Sequence, residues 1–125
     1  MKRLIITNSD SGAGCLKAAR IAQRVVALCY ELVWGPVPPG ETPMDFFTGR
    51  RHWMPGDTPD WELEVLDGLG EAYEHLAWEA AYYDRIEIWS DPTPNDQLVL
   101  IQLIDWLHSH PALRDKLVFA NVGWR

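Results

Sequence analysis

Leu4-Ile5-Ile6-Thr7, followed at once by Asn8-Ser9-Asp10-Ser11-Gly12, is the stretch on which the fold turns. The first four residues form a β-rich apolar run closed by turn-formers, which reads as a buried strand. A helix over residues 13–23 follows. Leu16, Ala19 and Ala22 share one of its faces, while Lys17, Arg20 and Arg24 make a basic stripe on another. Asp10 or Ser11 is the expected N-cap. A strand that leaves through a polar loop into a helix is the first half of a βαβ unit.

The alternation continues outward from there. Residues 25–32 read as a second β-rich run. Trp34-Gly35-Pro36-Val37-Pro38-Pro39-Gly40 places three prolines and two glycines in one connection, which excludes regular structure. A short helix is expected over residues 43–53, then a loop over 54–59. Residues 60–82 carry the clearest helical period. Trp61, Val65, Leu69, Ala72, Leu76 and Ala80 repeat every three or four positions, Asp60 is placed to cap, and Glu62, Glu64, Asp67, Glu71, Glu74 and Glu79 take the solvent face. Gly68 and Gly70 weaken the middle of that helix. Residues 85–89 alternate as a third strand. Residues 95–108 form a helix apolar on most sides, which predicts deep packing, and residues 117–122 form a fourth strand. The order implies a Rossmann-like, doubly wound α/β domain. Its mostly parallel four-stranded sheet runs 2-1-3-4, with helices on both faces. A chain of 125 residues suits one such domain over residues 1–125.

Charge and cysteine usage narrow the class. Eleven Lys and Arg against eighteen Asp and Glu give a formal charge of −7. That balance argues against nucleic acid and against an anionic membrane surface. No apolar run approaches the roughly 20 residues of a membrane helix, and no h-region follows Met1-Lys2-Arg3. Cys15 and Cys29 lie in apolar context without a CxxC spacing, so buried free thiols in the cytoplasm are expected. Seven tryptophans are a high density for this length.

In open doubly wound sheets, ligands bind beyond the carboxyl ends of the strands where the strand order reverses. Here that point lies between strands one and three. The residues beyond those ends are Asn8, Ser9, Asp10, Ser11 and Gly12 on one side, and Ser90, Asp91, Asn95, Asp96 and Gln97 on the other. Trp34 and Trp89 fall at strand ends as candidate walls. Gly35, with Arg50 and Arg51, adds a candidate anion contact. The same short polar residues also cap helices and make turns, so both roles stay open. Gly12-Ala13-Gly14 with Glu31 is a fragment of a dinucleotide fingerprint, but Lys17 stands at the third glycine position. Asp10, Asp91 and Asp96 are a set of the type that holds Mg²⁺, but turn and cap roles account better for them, and no metal ligand is assigned. HExxH, GxSxG and Walker A patterns are absent, so the sequence names neither a catalytic residue nor a cofactor.

Three segments share an order and spacing: TNSDSGAG at residues 7–14, GPVP at 35–38, and WSDPTPNDQL at 89–98 leading into an L-x-x-L-I-x-W-L helix. Together they resemble the bacterial domain of unknown function family eighteen thirty-five. Asp10 and Ser11 match its Asp-Ser pair. Gly35, Pro36 and Pro38 match its Gly-Pro loop, and Trp89, Asp96 and Gln97 match its third segment. Ser9 stands where that family usually has Gly, Glu31 stands near its loop Asp, and the Pro-rich run at 91–94 is atypical. Family members often continue past strand four, so a chain ending at Arg125 reads as a short or truncated member. The resemblance implies an α/β fold and no established activity. Two functions follow as expectations. One is a regulatory or protein-interaction module without catalysis, partnered by a second copy or another protein. The other is an enzyme that takes a small anionic, nucleotide-like or phosphorylated ligand at the carboxyl edge of strands one and three.

Overall fold

The computed structural model describes residues 1–28, 30–32, 35, 37–40 and 42–121, with the side chains of Asp10, Ser11 and Asn121 outside that description. Four strands, β1 (Arg3–Thr7), β2 (Arg24–Ala27), β3 (Arg85–Ser90) and β4 (Leu117–Asn121), form one sheet in the order β2-β1-β3-β4. All three pairings are parallel, with Thr7 opposite both Ala27 and Trp89 and Ile88 opposite Phe119. This is the doubly wound arrangement expected from the alternation. Leu4, Ile5 and Ile6 are fully buried, because β1 is central and covered on both faces.

The helices are α1 (Asp10–Ala19), α2 (Pro43–Trp53), α3 (Asp60–Ala80), α4 (Pro94–His108) and a short α5 (Pro111–Arg114). Local chemistry sets their ends. The Ser9 hydroxyl accepts the Gly12 N–H at 2.9 Å, so α1 starts three residues before the expected position, with Ser9 rather than Asp10 or Ser11 as its cap. It ends at Ala19, earlier than expected, because Arg20 turns left-handed (φ 54°) and its N–H closes on the Lys17 carbonyl. Thr42 and Asp45 make a reciprocal capping box for α2. Pro59, not Asp60, occupies the N-cap of α3, with no side-chain cap bond.

One face of the sheet carries the main core. Leu4, Ile6, Ile86 and Ile88 point into it, against Phe47 of α2, Leu66, Leu69, Tyr73, Leu76 and Ala80 of α3, and Val99, Leu103 and Leu107 of α4. The buried stripe of α3 is therefore rotated from the expected one. Tyr73 packs inward with its hydroxyl donating to Gln102 Oε1 at 3.1 Å, whereas Trp61 and Val65 are exposed. Nor is α4 deeply packed on every side. Its outer residues Leu98 and Ile101 are exposed, because only one stripe of the helix meets the sheet. Cys15 is a free, exposed thiol rather than a buried one, on the outer side of α1; Cys29 lies outside the described residues. No helix among the described residues is long and apolar enough to cross a membrane.

The opposite face holds α1 over Ile5 and Val25, with Trp89 half-buried beside them. It also holds Glu87, a buried carboxylate paired across the ladder with Ile5. Arg3 grips it with two bonds, Nε at 2.5 Å and Nη2 at 2.9 Å, and Trp89 Nε1 donates to it at 3.1 Å. The third guanidinium nitrogen of Arg3 donates to the Ile21 carbonyl, which ties the α1–β2 turn to the same pair.

The Arg3 hydrogen bonds hold the Glu87 carboxyl below its ordinary value of 4.5, against the opposing effect of burial. The folded state thus takes up this proton less readily than the unfolded chain. Its stabilisation is present above the unfolded pKa and is lost as pH falls through the lower folded value. Glu87→Gln is expected to cost about 2 kcal/mol at neutral pH, since it leaves Arg3 half-paired. Urea unfolding should show the gap to the unsubstituted chain closing as the pH drops below 4.5.

Candidate functional site

Three chain segments converge at the carboxyl edge of β1 and β3. Asn8 follows β1 directly, Tyr30 and Leu32 follow β2, and Asn95 and Asp96 open α4. Asn8 donates through Nδ2 to Asp96 Oδ1 at 3.1 Å and accepts the Tyr30 N–H at 3.0 Å. Asn95 donates to the Tyr30 carbonyl at 2.9 Å and accepts the Leu32 N–H. The other oxygen of Asp96 accepts the Asp91 N–H at 2.8 Å. Side chains thus take over the backbone of residues 30–32 where the ladder stops. This explains why β2 ends at Ala27 and not at 32: β1 has already turned into the α1 cap and offers no more partners.

Above this clamp lies an open cavity of about 740 Å³. Its floor is Asn8, Thr93, Asn95 and Asp96. Tyr30 and Glu31 form one side. Trp53 and Met54 at the end of α2, and Trp61, Glu62, Val65 and Leu66 in the first turns of α3, form the other. The loop at 54–59 reverses the chain between the two helices and sets Trp53 and Trp61 on one rim. Among the described residues, the lining holds three carboxylates and three aromatic rings, and no Lys, Arg, His, Ser or Cys.

The sequence-derived candidates divide in this geometry. Asp96 lines the cavity, although its oxygens are already bonded to Asn8 and Asp91. Ser9 is a cap, and the N–H of Gly12 is spent on it, so the helix start offers one fewer donor to an anion. Asp91 and Gln97 make a loop contact, Gln97 Nε2 donating to the Asp91 carbonyl at 3.1 Å. Trp89 does not wall the cavity. It shares strand parity with Glu87, so its ring falls on the α1 face. Arg50 and Arg51 diverge, as neighbours on a helix must. Arg50 is buried over the Tyr30 and Phe46 rings, 5.5 and 5.1 Å from their centroids, and lines a separate groove of about 400 Å³ with Phe46 and Ile101. Arg51 is exposed and pairs with Asp67 at 3.2 Å. Gly35 takes φ 92°, and a Cβ there would lie 2.7 Å from Arg50 Nη1. Trp34, Pro36 and the side chains of Asp10 and Ser11 lie outside the described residues. No group of three or more His, Cys, Asp or Glu that could hold a metal ion occurs among the described residues.

Sequence reasoning named Asn8, Asn95 and Asp96 by topology, but not Tyr30, Trp53, Trp61 or Glu62. The available signal was the pair of tryptophans bracketing the Pro-Gly loop at 54–59, since a helix–loop–helix reversal brings such flanking residues together. Fold and site together define a doubly wound α/β domain with an aromatic, acidic cavity at its switch point. No family model, curated protein or solved structure matches the chain.

Asn95→Ala removes both bonds to residues 30–32 and leaves a half-buried carbonyl and N–H unmatched. It is expected to cost about 1–3 kcal/mol and to speed amide exchange at Leu32, read by hydrogen-exchange NMR. Gly35→Ala meets both the positive φ and the buried guanidinium. Thermal unfolding should show a loss of about 1–2 kcal/mol.

Proposed function

We propose that this chain is a small-molecule-binding domain with a regulatory rather than catalytic role, acting in the cytoplasm. The cavity beside Tyr30, Trp53 and Trp61 carries the reading. It sits where doubly wound sheets bind ligands, and its volume of about 740 Å³ falls in the range of small-molecule sites. Its floor is held by side-chain hydrogen bonds, which favours a preformed site over one assembled on binding. Among the described residues the lining pairs no nucleophile with a base, which favours binding over turnover. The exposed free thiol of Cys15 suits a reducing compartment. The resemblance to the bacterial family of domain eighteen thirty-five supports the fold and adds no activity.

A protein-contact reading has one observation behind it. Near the end of α3, Trp78 and Tyr82 are exposed and meet edge-to-face with ring centroids 5.2 Å apart, and the His75 ring centroid lies 5.4 Å from that of Trp78. Such a row of rings is suited to a protein interface. A fragment library screened by amide-shift NMR separates the two. Binders are expected to shift Tyr30, Trp61 and Asn95, and Trp61→Ala should weaken them about tenfold, near 1.4 kcal/mol. A library whose only shifts fall at residues 75–82 would favour the protein contact and count against the cavity.

A further inference from the structure

We propose that the cavity takes an organic cation, a quaternary or protonated amine carried on an apolar body. This rests on the reading of the cavity as a ligand site. The rings of Trp53 and Trp61 share one lining with Glu62 and Asp96. Aromatic faces present negative potential, and a weakly hydrated ammonium loses little on moving against them. Asp96 is half-buried, and among the described residues its two oxygens are bonded only to neutral donors, the Asn8 amide and the Asp91 N–H. Those bonds fix the carboxylate without cancelling its charge. Glu62 has no ion-pair partner among the described residues. Among the described residues no Lys or Arg lines the space: Arg51 is paired with Asp67, and Arg50 lines the neighbouring groove, its guanidinium 5.5 Å from the Tyr30 ring centroid, which leaves Trp53 and Trp61 as the rings for the ligand cation. An anionic ligand would meet the like charges of Glu62 and Asp96. The volume exceeds that of a bare trimethylammonium group, and Met54, Val65 and Leu66 offer apolar wall for the remainder. The overall charge of −7 adds long-range attraction of the same sign.

The test uses the full chain and four probes: benzyltrimethylammonium, choline, its neutral carbon isostere 3,3-dimethyl-1-butanol, and benzoate. Binding is followed by amide-shift NMR. Choline should bind at least about fivefold more tightly than its isostere, as expected for a cation over aromatic faces. Benzyltrimethylammonium should bind more tightly still, and its affinity should fall with added salt. Trp61→Ala should weaken both cations about tenfold, and Trp61→Phe should restore part of the loss. Glu62→Gln should weaken them about threefold. Trp61 is 64% exposed, so its removal leaves the core intact, and an unchanged melting temperature verifies this. If the isostere matches choline, or benzoate binds in preference, with shifts still at Tyr30 and Trp61, the cation assignment is overturned and the ligand site stands. If no probe shifts the cavity residues, both are overturned.

Discussion

The carboxylate of Asp96 is the joint on which the functional edge depends. One oxygen takes the Asn8 amide at the end of β1, and the other takes the Asp91 backbone at the end of β3. The two central strands are thereby tied together beyond the last ladder bond. Asn8 and Asn95 extend the tie to residues 30–32. In a partly buried place these bonds support one another, since each fixes the rotamer the next one needs. The cavity rests on that frame, and Tyr30 is positioned by backbone contacts on both of its sides.

The two faces of the sheet solve burial differently. The face under α2, α3 and α4 is mainly apolar and supplies most of the hydrophobic stabilisation. The α1 face places Glu87 opposite Ile5 and satisfies it with Arg3 and Trp89. That pair links the first strand, the third strand and the α1–β2 turn, so charge and chain connectivity are coupled there. It also accounts for Trp89, whose indole N–H completes the shell of Glu87 and is not aimed at a ligand.

Much of the fold was legible because the signals were local. Leu4, Ile5 and Ile6 announce a doubly covered strand, and Thr42 with Pro43 and Asp45 announces a helix start. The errors arose where a distant partner decided the outcome. Tyr30, Glu31 and Leu32 have strand composition, yet they lie outside the ladder because β1 has no residue left to pair with them. Trp61 and Val65 fit the apolar period of α3, yet the first turns of that helix overhang the sheet edge, and the buried stripe passes instead through Leu66 and Tyr73. Cys15 has apolar neighbours in sequence, but it falls on the outer side of α1.

The sequence by itself determined the alternation of strands and helices, the parallel order of the sheet and the edge at which Asn8, Asn95 and Asp96 gather. Those follow from residue period, turn chemistry and the handedness of crossovers, which act over short stretches of chain. Only the tertiary structure decided which rings surround that edge. Tyr30, Trp53 and Trp61 come from three separate segments, and each ring's direction depends on how its element is rotated against the others. That rotation is set by close packing, as where Gly70 of α3 admits Met44 of α2. The same packing turned an acidic chain with seven tryptophans into a site where some of those rings and carboxylates meet.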